Sequence, residues 1–133
     1  MVLVDTSVII GLLKRDENEA VDKFRHILDT RAPYAISVLT YQEVLQGAQD
    51  IKEMEYLKEY LSSLKIYHLP KSLDFYGDAA HYRNLLRTKG ITIRNTIDIL
   101  IASTCIYYDL ELLHNDKDYD FFAKYIEKLV IYN

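Results

Sequence analysis

The sequence predicts an α/β fold: a three-layer α/β/α sandwich with a central, mainly parallel sheet of four to five strands. Three observations carry this expectation. Short apolar or β-branched runs alternate with longer segments of helical periodicity, the pattern of strands joined by helical crossovers. The opening run VLVD (Val2 to Asp5) is apolar at consecutive positions, as a strand covered on both faces must be. The segment Ile97 to Asp109 is apolar on nearly every side, which predicts a central helix buried among other elements.

The remaining elements follow in order. After the first strand, Val8, Ile9, Leu12 and Leu13 share one helical face, with Asp5, Thr6 or Ser7 available as N-cap. A second helix spans Glu17 to Thr30, where Ala20, Val21, Phe24, Ile27 and Leu28 form a stripe. Pro33 punctuates, and YAIS (Tyr34 to Ser37) reads as the second strand. A helix from Val38 to about Gly47 and another from Asp50 to Leu64 precede KIYHL (Lys65 to Leu69), a strand stopped by Pro70. Ser72 caps the next helix, which carries Phe75, Ala79, Tyr82 and Leu86 inward and ends at Gly90. Beyond the apolar helix come a strand at Glu111 to Asn115, a short helix at Tyr119 to Tyr125 and a terminal strand at Leu129 to Tyr132.

A length of 133 residues argues for one domain, residues 1–133, that buries enough surface for its own core. The lone Cys105 excludes an intramolecular disulfide framework and reads as a small apolar side chain. The start MVLVD has neither a basic nor an apolar leader pattern, and the Ile97 to Tyr108 stretch is too short and too polar for a bilayer. A cytoplasmic protein away from membranes is expected. Net charge is −4 and the isoelectric point about 5.5, unlike a generic nucleic-acid binder. One segment departs from this balance: Arg83 to Arg94 holds Arg83, Arg87, Lys89 and Arg94 and no acid. It can meet a phosphate backbone or be a solvated helix face. Lys14, Arg15 and Lys117 lie near the same edge by sequence.

In open α/β sheets, ligands bind outside the carboxyl ends of the strands. Asp5 ends the first strand, Asp116 follows the fourth, Glu43 lies on the helix after the second, and Asp98 stands in the first turn of the apolar helix. Each has an ordinary reading: Asp5 as a cap, Glu43 in a capping box with Thr40, Asp98 as a first-turn acid behind Thr96, Asp116 as a loop acid. If Ser37 is the cap instead, Glu43 lies two turns into its helix and needs another reason. Together the four converge on one edge, and a hard divalent cation, Mg²⁺ or Mn²⁺, would relieve their repulsion. An EF-hand reading of Asp116, Asp118 and Asp120 fails, because Phe121 stands where that loop needs glycine. His26, His68, His81 and His114 lack metal-site spacing, and His114 reads as a strand-end structural residue. Most of the 12 tyrosines read as half-buried core or interface residues, although some could stack on bases.

Four blocks, VDTSVII, SVLTYQEVLQG, IDILIASTC and LLHNDKDYDFF, taken in that order, resemble a PIN domain, and in particular the VapC-type toxins of toxin–antitoxin pairs. The resemblance covers essentially the whole chain. It implies a metal-dependent endoribonuclease with one or two Mg²⁺ or Mn²⁺ ions on Asp5, Glu43, Asp98 and Asp116, with Asp118 sharing or replacing the last. Thr6 and Ser7 match the polar pair behind the first acid, where a hydroxyl can steady the site. It also implies an RNA substrate, a homodimer and a cognate antitoxin. A haloacid-dehalogenase-like phosphatase is disfavoured, since Ser7 stands where a second aspartate is needed. The alternative is a catalytically silent PIN-like or receiver-like binding module.

Overall fold

Five parallel strands form one sheet in the computed structural model, which describes residues 1–133. The elements run β1 (Val2–Val4), α1 (Thr6–Leu13), α2 (Glu19–Thr30), β2 (Tyr34–Ser37), α3 (Val38–Gln46), α4 (Ile51–Ser62), β3 (Lys65–Tyr67), α5 (Leu73–Thr88), α6 (Thr96–Tyr108), β4 (Glu111–Leu113), α7 (Lys117–Tyr125) and β5 (Val130–Ile131). Their spatial order is β3-β2-β1-β4-β5, every pairing parallel. The chain builds outward from β1, then crosses back to lay β4 on the other side of β1. This reversal point between β1 and β4 is where open α/β sheets form ligand crevices. The order also separates the chain from receiver-type modules, whose strands run 2-1-3-4-5.

Alternation along the strands sorts the core into two layers. Val2, Val4, Ile36 and Leu113 face one side, where Val8 and Ile9 of α1, Phe24 and Ile27 of α2, Val44 of α3 and Leu61 of α4 cover them. Leu3, Ala35 and Leu112 face the other, against Leu86 of α5, Ile101 and Ala102 of α6, and Tyr119 and Phe122 of α7. β1 and β2 are therefore packed on both faces, which is why their sequences read as nearly unbroken apolar runs, whereas the outer β3 is only partly covered. Gly11 lets α1 approach α2 closely: a Cβ there would lie 2.9 Å from Val21 Cγ2.

Several strands are shorter than the sequence suggests. β4 stops at Leu113 because its partner β1 stops at Val4, with Val4 opposite Leu113. β3 stops at Tyr67, opposite the last residue of β2, Ser37, so His68 and Leu69 have no ladder to join. Ser37 and Ser72 cap their helices as expected, while Asn95 rather than Thr96 caps α6. The second helix begins at Glu19 behind the cap Asn18, two residues later than expected. Gly90 follows α5 at φ +79°, a conformation that favours glycine.

Candidate metal centre

Three helices begin at the reversal point, and each brings an acid. Asp5 caps α1, its Oδ2 accepting from the Ser7 amide at 3.0 Å and the Ser7 hydroxyl at 2.6 Å. Asp116 caps α7, its Oδ1 accepting from the Asp118 amide at 2.9 Å. Asp98 lies in the first turn of α6. Unpaired amides and the helix dipole favour negative charge at such ends. The capping reading of Asp5 therefore holds, Asp116 proves to be a cap rather than a loop acid, and the same geometry gathers the acids.

Asp98, Asp116 and Asp118 form the tightest group, each offering a carboxylate oxygen within 4.8 Å of the other two. Asp5 and Glu43 stand outside this triad. Asp5 is linked to it through Tyr119, whose hydroxyl lies 2.9 Å from Asp5 Oδ1 and 3.2 Å from Asp98 Oδ1. With Ser37 capping α3, Glu43 sits two turns in and forms no capping box with Thr40. Its Oε1 instead accepts from the Thr6 hydroxyl at 2.7 Å, and Thr6 Oγ1 lies 3.0 Å from Thr40 Oγ1. A hydroxyl has one hydrogen, so Thr6 donates to Glu43 and receives from buried Thr40.

The acids burden one another. Burial above all, then Asp5 and Asp116, push Asp98 up to about 6, with Glu43 adding less and the Tyr119 hydrogen bond opposing. Burial and Asp116 likewise raise Asp118. None of Asp5, Glu43, Asp98, Asp116 and Asp118 has a basic side chain within 4.0 Å: the ion pairs of the chain are Lys23–Glu19 and Arg25–Asp22, and His114 Nε2 faces Asp120. Uncompensated negative charge on a purely carboxylate donor set suits a hard, oxygen-seeking dication. These residues fit a divalent ion such as Mg²⁺ or Mn²⁺.

Neighbouring residues brace this arrangement. Ser7 Oγ accepts from the Asn115 amide at 3.1 Å, tying the start of α1 to the exit of β4. His114 accepts from the Asp116 amide through Nδ1 at 3.0 Å and pairs through Nε2 with Asp120 at 3.2 Å. Asp120 is thereby engaged away from Asp116 and Asp118, a second reason against a calcium loop. Cys105 is buried, and burial together with the Asp5 charge pushes its thiol up, away from reactivity.

Of the basic residues, Arg83 is half-buried on α5, while Arg87, Lys89 and Arg94 are exposed, and Arg87 donates to Asn84 Oδ1 at 3.1 Å. Arg94 immediately precedes the Asn95 cap of α6, close in sequence to Asp98. Lys117 is the first residue of α7 and lines an open cleft of about 410 Å³ with His114, Asn115 and Asp116. Lys14 and Arg15 are a correction. They close the far end of α1, about 12 Å along the helix from Asp5. Sequence reasoning also missed two residues. Thr40 was visible only as a capping partner, and Tyr119 only as the start of a helix, with nothing to reveal where its hydroxyl ends.

A PIN domain family model matches residues 2–125. Ribonuclease VapC11 from Mycobacterium tuberculosis is 29% identical over 125 residues, covering 93% of this chain and 92% of the relative. Among solved structures, VapBC2 from Rickettsia felis, bound to a promoter DNA fragment, aligns at a TM-score of 0.74 with 22% identity, covering 100% of this chain and 98% of that one. A toxin–antitoxin complex from Klebsiella pneumoniae aligns at 0.70 with 22% identity, covering 98% and 96%. At these identities the structural likenesses speak to the fold.

Proposed function

The chain belongs to the PIN domain family, and we propose that it is a metal-dependent endoribonuclease, the toxin of a toxin–antitoxin pair. The observation that carries this reading is the group of Asp98, Asp116 and Asp118 oxygens within 4.8 Å of one another, with no cationic side chain among them. A relative named as a ribonuclease over nearly its full length supports RNA as substrate. A structural neighbour described as a toxin–antitoxin complex supports a cognate antitoxin. No helix is long and apolar enough to cross a membrane. A homodimer in the cytoplasm completes the reading.

Asp98, Asp116, Asp118 and Asp5 would hold one or two Mg²⁺ or Mn²⁺ ions. Such ions supply an activated water and neutralise charge building on the scissile phosphate and the leaving oxygen. The protein's own part is positioning. Asp5, only 4% exposed, is held through one oxygen by Ser7 and through the other by Tyr119, so it enters the site already oriented. Glu43 is held through Oε1 by Thr6, which leaves Oε2 without a hydrogen-bond partner and free to join the same ions as a further ligand. Arg87, Lys89, Arg94 and Lys117, exposed and without ion-pair partners, are available to RNA phosphates, with half-buried Arg83 behind them.

The test is a divalent-metal titration of the purified protein on a panel of transfer and ribosomal RNAs, read by product length. Internal cuts that appear with Mg²⁺ or Mn²⁺ and vanish with excess EDTA are expected. Undiminished cutting in EDTA, or none at any metal concentration, overturns the reading.

A further inference from the structure

We propose that Tyr119 is a positioning residue of the metal centre: its buried hydroxyl sets the spacing of Asp5 and Asp98 before a cation arrives. The inference rests on the reading that these carboxylates hold a divalent ion, and it concerns how they are kept ready for one.

Tyr119 is one of the largest fully buried side chains, at 1% exposure. Its ring belongs to the apolar layer that includes Ile101, Leu112 and Phe122. The hydroxyl, however, is spent on the acids, 2.9 Å from Asp5 Oδ1 and 3.2 Å from Asp98 Oδ1. Asp5 comes from the end of β1 and Asp98 from the first turn of α6, so a side chain of α7 joins two otherwise separate elements. Neither Oδ1 has another protein donor. For Asp98 the bond is the sole side-chain hydrogen bond of its carboxylate.

Hydrogen counting sharpens the role. A phenol has one hydrogen, and two ionised carboxylates offer none. Both Oδ1 atoms therefore lean on a single O–H, and the mutual repulsion of Asp5 and Asp98 acts directly against that bridge. Removing the hydroxyl leaves Asp5 tethered only by Ser7 and frees Asp98 to swing toward water. A cation would then have to gather ligands that the native chain presents already gathered. Groups that orient metal ligands in this way are worth 10- to 100-fold in affinity.

The bridge can hold because Tyr119 is itself fixed. Its ring packs against His114 at 5.1 Å between centroids, and His114 grips the same helix through Asp120 at 3.2 Å and the Asp116 amide at 3.0 Å. Phe122, one turn on, is fully buried. The exit of β4 thus sets α7, and α7 sets the hydroxyl.

The test compares the full-length wild type with Tyr119→Phe, which keeps the ring and removes only the oxygen, and with Tyr82→Phe. Tyr82 packs on Phe122 at 5.7 Å in the same layer, without a hydrogen bond to any acid. Mn²⁺ binding is followed by the electron paramagnetic resonance of free Mn²⁺. Tyr119→Phe should bind about 10-fold more weakly while melting cooperatively, and Tyr82→Phe should match wild type. Cleavage by Tyr119→Phe should need more metal for half-activation yet approach the wild-type rate at saturation. In wild type, Mg²⁺ addition should produce a tyrosine difference band in near-ultraviolet absorption, and this band needs no variant to be read. Mn²⁺ affinity of Tyr119→Phe within twofold of wild type, an equal loss in Tyr82→Phe, or no tyrosine band overturns the proposal. Wild type that binds Mn²⁺ without cutting RNA overturns the nuclease reading and leaves this one standing. Wild type that binds no metal ends both.

Discussion

Replacing Asp98 with asparagine is expected to make the metal-free protein more stable and the metal-loaded protein inactive. Asparagine keeps the shape and an oxygen that can accept from Tyr119, but it removes one of the repelling charges. Burial and the neighbouring acids raise the Asp98 carboxyl from 3.8 to about 6. That difference corresponds to about 3 kcal/mol at most. The group is half in water, and screening cuts this to about 1 kcal/mol. For a chain of this size such a gain is a rise in Tm of about 3–5 °C. The pH dependence has a definite sign. A carboxyl raised in the folded state contributes stability that is fully present below its unfolded value of 3.8 and is lost as pH rises through about 6. Metal-free wild type should therefore weaken between pH 5 and pH 7.5, and Asp98→Asn should weaken less. Mg²⁺ at a hundred times its Kd should restore about 2.7 kcal/mol to wild type and much less to the variant. Melting curves by circular dichroism, at both pH values and with EDTA or Mg²⁺, measure all of this. If Asp98→Asn melts no higher than wild type at pH 7.5 in EDTA, or gains as much from Mg²⁺, the repulsion argument is wrong.

Other perturbations probe different parts of the molecule. Asp5→Asn should lower RNA cleavage at least about 100-fold, as loss of a metal-oriented group does at its upper range, with a near-normal circular dichroism spectrum. Thr6→Val deprives Glu43 Oε1 of its only donor and should reduce the cleavage rate about 10-fold, whereas Thr40→Val, which spares that bond, should mainly lower stability by about 1 kcal/mol in urea melts. Arg87→Glu should weaken RNA binding and flatten the dependence of log Kd on log salt, and an unchanged slope in filter binding returns this residue to a solvated role. Gly11→Ala should destabilise by about 1–3 kcal/mol, since the new methyl meets Val21 Cγ2 at 2.9 Å.

Much of this architecture was legible in the residues because strands packed on both faces leave an unmistakable apolar run. Val2 to Val4 and Tyr34 to Ser37 were readable for that reason. Strand ends were harder, because where β3 stops depends on where β2 stops, and that is a property of register rather than of KIYHL. The acids were readable as a set, since carboxylates at successive strand ends and helix starts have a shared destination. Their ranking was not. Asp118 joins the inner triad ahead of Asp5 and Glu43 because α7 begins at Lys117, and one-residue differences in a helix start decide which side chains point inward. Lys14 and Arg15 were misplaced because nearness to Asp5 along the chain ignores the length of α1 between them. Tyr119 escaped notice because its apolar ring and its hydroxyl answer to different neighbours.

The bond from Tyr119 to Asp5 joins residues 114 positions apart. During synthesis the amino-terminal half emerges first, with Asp5 and Glu43 already present, while Asp98, Asp116, Asp118 and Tyr119 are still to be made. A polypeptide interrupted before Asp98 carries only two of the five acids, Asp5 and Glu43, and lacks Tyr119. The order of assembly is thus written into strand topology: the carboxylate cluster cannot close until nearly the whole chain has been made.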